Sequence, residues 1–210
     1  MLRRITIGVF LLWCAPSVGH AHPVSFKGGY GVMPGYSPER QELELNYSVT
    51  GSSALALSGI NIDYRGRDLT FILPQFNQKL YRRNAAESQT NLYGSLGLGG
   101  ARYEGDTDLA ALVAFQADYE TRRIYTLLSG EHLRTDGIEL NRLRYRFGVA
   151  PYLGDFDALH TWLIGQVEYT PELAEEWTIT PMVRLFYQNY LIEVGSSLKG
   201  DVFIAGIFHF

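Results

Sequence analysis

Asp201-Val202-Phe203-Ile204-Ala205-Gly206-Ile207-Phe208-His209-Phe210 is the stretch whose reading decides the fold. Taken back from Phe210, every second residue is apolar or glycine: Phe210, Phe208, Gly206, Ile204, Val202. That is the period of a β-strand with one apolar face. A tilted strand of about 10 residues is long enough to cross a bilayer. The edge of a soluble sandwich would share the pattern. The rest of the chain argues for the membrane by repeating it many times.

The earlier segments alternate in the same way, with turn residues between them. Segment 42–49 sets Leu43, Leu45, Tyr47 and Val49 against Glu42, Glu44, Asn46 and Ser48. Segment 91–103 sets Leu92, Gly94, Leu96 and Leu98 against Tyr93, Ser95, Gly97 and Gly99. In 109–120, Val113, Phe115 and Tyr119 oppose Gln116, Asp118 and Glu120. Leu143, Tyr145, Phe147 and Val149 oppose Arg142, Arg144 and Arg146, and 159–169 points His160, Gln166 and Glu168 away from Leu163, Val167 and Tyr169. A first strand is expected over 24–33, with a turn at 34–38. Changes of parity near Ser58-Gly59 and around Pro74 predict β-bulges. The pattern does not settle which way 124–133 faces. A two-residue turn at Gln188-Asn189 brings the count to about 12, and a single-chain bacterial barrel needs an even number with both termini on the periplasmic side. About 10 is the alternative if 24–33 stays outside the sheet. The expected fold is therefore all-β: a closed antiparallel transmembrane β-barrel of about 12 strands with short turns. A strand of this kind ending on Phe210 resembles the C-terminal signature of bacterial outer-membrane β-barrels. That resemblance implies that Phe208 and Phe210 close the barrel and are read by the barrel-insertion machinery. Tyr47, Tyr119, Tyr145, Tyr169, Trp177 and Tyr187 are candidates, with the two Phe, for interfacial girdles.

Composition agrees with alternating lipid-facing and lumen-facing positions. Aromatic residues make up 13% of the chain, with 14 Tyr, yet no window approaches the ~18 apolar residues of a transmembrane helix. The 18 Lys and Arg are outnumbered by 22 Asp and Glu, and no basic run occurs, which excludes a basic nucleic-acid binder. Lys27, Lys79 and Lys199 are the only lysines. Arginine suits fixed, partly buried carboxylates, so internal ion pairs are expected.

Met1-Leu2-Arg3-Arg4 followed by an apolar run to Ala15, with small residues in Gly19-His20-Ala21, reads as a cleaved secretory signal over 1–21. The single barrel domain would then occupy 22–210 and contain no cysteine, since Cys14 is the only one. Cleavage would make His22 the amino terminus. Its α-amine and imidazole together could chelate Cu or Zn; the other reading is a flexible terminus.

The start His22-Pro23-Val24-Ser25-Phe26-Lys27-Gly28-Gly29 resembles that of a family of exported proteobacterial proteins. So do Gly148-Val149-Ala150-Pro151-Tyr152-Leu153-Gly154-Asp155, His160-Thr161-Trp162-Leu163 and Thr180-Pro181-Met182-Val183-Arg184-Leu185-Phe186. The resemblance covers most of the chain after residue 21. It implies a loose association with copper or heavy-metal resistance loci, and it carries over no catalytic or ligand residues.

The inward face holds the candidate lumen and selectivity residues: Arg142, Arg144, Arg146, Glu42, Glu44, Asp118, Glu120, Glu168 and Arg184. Charges inside a barrel must be paired. They either fill the lumen as a salt-bridged core or line a narrow channel that screens solutes by charge. About 12 strands lies between barrels that side chains fill and barrels that hold open water, so both readings stand. The leading expectation is a small solute or ion channel, or a structural envelope protein, in the outer membrane of a Gram-negative bacterium. The alternative is a closed barrel in metal homeostasis, with His22 as the metal residue. No cofactor and no nucleic-acid partner are expected, membrane lipid is, and the oligomeric state is open. An outer-membrane lipid-modifying enzyme would need a nucleophile and base, and Ser129-Gly130-Glu131-His132 is the one arrangement that suggests it.

Overall fold

In the computed structural model, which describes residues 22–155 and 158–210, the chain forms twelve antiparallel strands. The expected signal segment, 1–21, lies outside the described residues. The strands are β1 (Tyr30–Tyr36), β2 (Arg40–Ser48), β3 (Ser53–Tyr64), β4 (Arg67–Asn84), β5 (Ser88–Tyr103), β6 (Asp106–Thr121), β7 (Ile124–Thr135), β8 (Ile138–Val149), β9 (His160–Tyr169), β10 (Trp177–Tyr187), β11 (Tyr190–Ser196) and β12 (Val202–His209). Each pairs with its chain neighbours, and β1 pairs with β12 to close the barrel. Closure leaves no strand edge with unpaired backbone groups, which a bilayer could not satisfy.

The seam is made where the last strand was expected to make it. Val32 faces Phe208 across β1 and β12, and Tyr30 and Phe210 exchange backbone hydrogen bonds of 3.0 and 2.9 Å. The first strand, however, begins later than the sequence pattern indicates. Residues 24–29 stay outside the sheet, and β1 runs straight through Pro34-Gly35, which the sequence reading assigns to a turn. Pro34 faces outward, and the real turn is Ser37-Pro38-Glu39, where the Ser37 and Arg40 backbones bond each other.

Around the middle of the barrel the outward positions are apolar and exposed, among them Leu96, Leu98, Val113, Leu163 and Ile204. A continuous exposed apolar band of this kind is the surface that a bilayer covers. At the end away from the chain termini, β3 to β8 reverse their faces. Inward positions there are Ile60, Ile62, Tyr64, Leu69, Phe71, Leu73, Ala101, Ala110, Leu112, Leu133 and Leu140, which form one buried apolar cluster. Outward positions on the same strands include polar residues, and Asn61 bonds both Asp68 and Thr70 at 2.9 Å. This reversal is the parity change of the sequence near Ser58-Gly59 and Pro74. No bulge lies at either place: β2, β3 and β4 keep an unbroken register. The one register shift recorded between β4 and β5 lies between Lys79 and Tyr81. The strands are continuous, and the environment around them changes from lipid outside to water outside.

Leu173, in the β9–β10 connection, packs onto the apolar cluster. Glu172 in the same loop accepts hydrogen bonds from Asn141 at 2.7 and 2.9 Å. That half of the lumen is thereby filled at its far end.

Phe71→Ala removes a fully buried ring from this cluster and is expected to cost about 3–5 kcal/mol. Asp63→Ala, on the outward polar face of the neighbouring strand, is expected to change stability by at most about 0.5 kcal/mol. Urea midpoints of the two variants refolded in vesicles measure the contrast.

Candidate lumen site

β2 carries Arg40, Glu42, Glu44, Asn46 and Ser48 on its inward side because side chains alternate along a strand. β7 and β8 stand on the opposite wall of the ring. From there Glu131 receives both ends of the Arg40 guanidinium, at 2.7 Å to Oε1 and 3.0 Å to Oε2. This two-pronged contact crosses the lumen from wall to wall. Arg142 donates to Glu131 at 3.1 Å and lies 3.5 Å from Glu42, which also accepts from Arg40 Nε at 2.7 Å. Two arginines and two glutamates thus close a ring of charge-assisted bonds, the strong kind of protein hydrogen bond.

Two further pairings flank the ring. Arg144 donates to Glu168 at 2.6 Å. Arg146 and Arg184 share Glu193, at 3.0 and 2.7 Å, and Arg146 also donates to Gln166 at 2.8 Å. Arg184 lies over the Tyr125 ring, 4.2 Å from its centre, which adds cation–π attraction. Glu193, Arg146 and Arg184 are all buried.

Three cavities meet at the Arg40–Glu131 ring. One opening, of 190 Å³, lies toward the far end and is lined by Glu39, Glu168, Glu175, Asp201, Arg142 and Arg144, among others. Outside the membrane-spanning strands, the carboxyl of Glu39 is held above its ordinary range, by burial first and then by Asp63, Asp201 and Glu168. Beyond the ring, a cavity of 160 Å³ backs onto the apolar cluster through Ile60 and Leu112. Another of 200 Å³ continues toward the termini, past Tyr93, Gln116, Ser129 and Pro23. Glu42 and Arg142 line all three. Glu44 lines the second and the third.

Residues 22–29 close part of the mouth at the termini. From Tyr30 on β1 the segment passes β2, where Gly28 donates to the Ser48 carbonyl and Ser25 to the Ser48 hydroxyl. Val24 is buried against Ala54 and Tyr93. His22 reaches the far wall, 3.3 Å from Asn91 Nδ2 on β5 and 3.5 Å from Asp118 on β6. The expectation of a flexible terminus is therefore replaced: His22 is buried and packs on Tyr93. The metal reading gains only Asp118 as a neighbour, since among the described residues no group of three or more His, Cys, Asp and Glu side chains converges.

All nine lumen candidates lie on inward positions, but they are dispersed among separate groups. Glu42 and Arg142 belong to the ring, Arg144 to Glu168, and Arg146 and Arg184 to Glu193. Asp118 sits with the amino-terminal segment, bonded by Asn91 at 2.7 Å. Glu120, two residues along β6, shares its face. The sequence reading missed Arg40 and Glu131, the two residues that bridge the lumen. Arg40 continues the parity of Glu42 and Glu44. Glu131 had no such signal, because apolar residues sit on both faces of β7. The Ser129-Gly130-Glu131-His132 arrangement is taken apart by the same alternation. Ser129 and Glu131 point into cavities, while His132 points outward to Asn141 at 2.9 Å.

No family model matches the chain, and no curated protein matches its sequence. Among solved structures it is similar to the KdgM porin in complex with disordered oligogalacturonate. There the identity is 12% and the TM-score 0.50, over 87% of this chain and 98% of that one. The KdgM porin by itself gives 12% identity and a TM-score of 0.48 over the same shares. A loop L8 deletion mutant of OmpT, an outer membrane protein of Vibrio cholerae, gives 10% and 0.34, over 87% and 97%. The first likeness shows a shared barrel fold.

Glu193→Ala strands two buried guanidinium groups and is expected to cost about 3–5 kcal/mol. Glu168→Ala is expected to cost less, since Glu168 holds one arginine and its side chain is 19% exposed against 3% for Glu193. The difference in unfolding midpoints of the two refolded variants is the measurement.

Proposed function

We propose that the chain is an outer-membrane β-barrel of a Gram-negative envelope, forming a narrow passive channel for small solutes or ions. Export would follow removal of the segment 1–21, and insertion would use the last strand, with Phe208 and Phe210. The observation that carries this reading is the series of cavities joined at the Arg40–Glu131 ring. A lumen filled like a core would leave no such series. Its walls are polar and charged, as a water-filled passage requires. The fold shared with a porin supports the same reading.

The ring and residues 22–29 make the passage narrow at two levels. Its solutes are therefore small. Oligogalacturonate, bound in the KdgM porin complex, is a polyanion. Here Arg40, Arg142, Arg144, Arg146 and Arg184 are each held by a carboxylate. These five arginines offer no open cationic wall to such a chain, so we place this channel with a different solute class.

Single-channel recording of the purified protein in a planar bilayer tests the proposal. Small discrete steps are expected. Deletion of residues 22–28 is expected to enlarge them by clearing the mouth at the termini. Arg144→Ala leaves Glu168 without its arginine and is expected to raise preference for cations. Folded, inserted protein that gives no steps would overturn the channel reading in favour of a closed envelope barrel.

A further inference from the structure

Most carboxylates of the central lumen are neutralised in place. Glu42, Glu131, Glu168 and Glu193 each lie within ion-pair distance of at least one arginine. Glu44 differs. Its oxygens accept only from neutral groups: Asn77 Nδ2 at 3.0 Å, Ser58 Oγ at 3.4 Å and Asn46 Nδ2 at 3.5 Å. It faces two cavities at once, and Ser95 lines both beside it.

A second observation concerns the two asparagines. Asn77 and Asn46 are 0% and 3% exposed, and each turns its amide nitrogen to Glu44. That leaves the Asn46 and Asn77 amide oxygens buried without a hydrogen-bond partner. A buried acceptor left in this state costs free energy. Turning both amides end for end would exchange nitrogen for oxygen at Glu44. The three residues would then present a carboxylate and two amide oxygens, which are ligands for a hard cation. Without a cation, the nitrogens stay on the carboxylate.

The wide opening carries charge of the same sign as Glu44. The wall of the wide opening holds Glu39, Glu175 and Asp201 in addition to its paired residues. Lys199 offsets one of these by pairing with Glu175. An entering cation is drawn through an acidic mouth toward Glu44, whereas an anion finds every central arginine already engaged.

We infer that Glu44, with the amide side chains of Asn46 and Asn77, is the cation-selecting site of this channel. The inference rests on the channel reading and names its substrate class as small cations. One carboxylate with two neutral partners holds an ion weakly enough to release it, as conduction requires.

Reversal potentials under a KCl gradient test it. The native protein is expected to prefer potassium over chloride. Glu44→Gln keeps the shape and removes the charge, and is expected to lower that preference by about tenfold, the low end of what focused charge does to local ion concentration. Glu139→Gln, on the outward face, is expected to leave it unchanged. Glu44→Cys provides an independent arm. A thiol-directed sulfonate reagent restores a negative charge there and is expected to restore cation preference, with no effect on the native protein. Native channels that prefer chloride, or a Glu44→Gln ratio equal to the native one, would overturn the assignment while leaving the channel standing. Absence of any steps would remove the channel reading, and this site with it.

Discussion

The Arg40–Glu131 bridge is the constraint on which the interior depends. A ring of twelve strands is too wide for ordinary side chains to meet across it. A long arginine and a glutamate, reaching toward each other and joined at two points, do meet. Holding two charges inside the barrel is favourable only if every donor and acceptor finds a partner. Glu42 and Arg142 supply those partners from the two walls. The bridge therefore fixes opposite walls relative to one another and divides the lumen without filling it. An apolar pair long enough to span the same gap would pack it shut.

Along the barrel axis the chain solves different solvation problems with one continuous set of strands. In the apolar band, lipid is outside and polar groups are inside. At the far end, water is outside, and β3 to β8 carry an apolar core inside. The chain needs no break to make this change, because alternation lets the two faces exchange character while the backbone register runs on. The long strands β4, β5 and β6 follow from it, since they serve both zones. Filling one half of the far end leaves the other half, beneath Glu39 and Asp201, as an open cavity.

Much of this was legible in the sequence. Period-two alternation indicated strand type and most facings, because the faces of β2, β5, β6 and β8 differ sharply in polarity, and the even-number rule fixed the count at twelve. The hairpin at Asp136-Gly137 was readable from turn chemistry, whereas the split at Gln188-Asn189 followed from the even strand number a bacterial barrel needs. The reversal near Gly59 was visible too, but a change of environment and an inserted residue give the same local signal. Only the pairing register separates them. The start of β1 was misplaced because 24–33 alternates well enough to be a strand. Val24 is buried for another reason, against Ala54 and Tyr93 inside the mouth. Pairing across the lumen left no trace in local pattern: Arg40 and Glu131 are far apart in the chain, and nothing near either one points to the other.

The arginines were the conspicuous feature of the sequence, and they invite an anion-selective reading that their ion pairs count against. An arginine ladder sets a field only where its charge is not cancelled at hydrogen-bond distance. Arg142, Arg144, Arg146 and Arg184 each meet a carboxylate, so from a few ångströms away they act as dipoles. In the channel proposed, the field is left to residues that have no such partner. Glu44 is inconspicuous in the sequence, one of several glutamates on a strand, yet its neighbours are amides and a hydroxyl. Selectivity in a balanced lumen follows the unmatched charge, and a count of arginines does not reveal it.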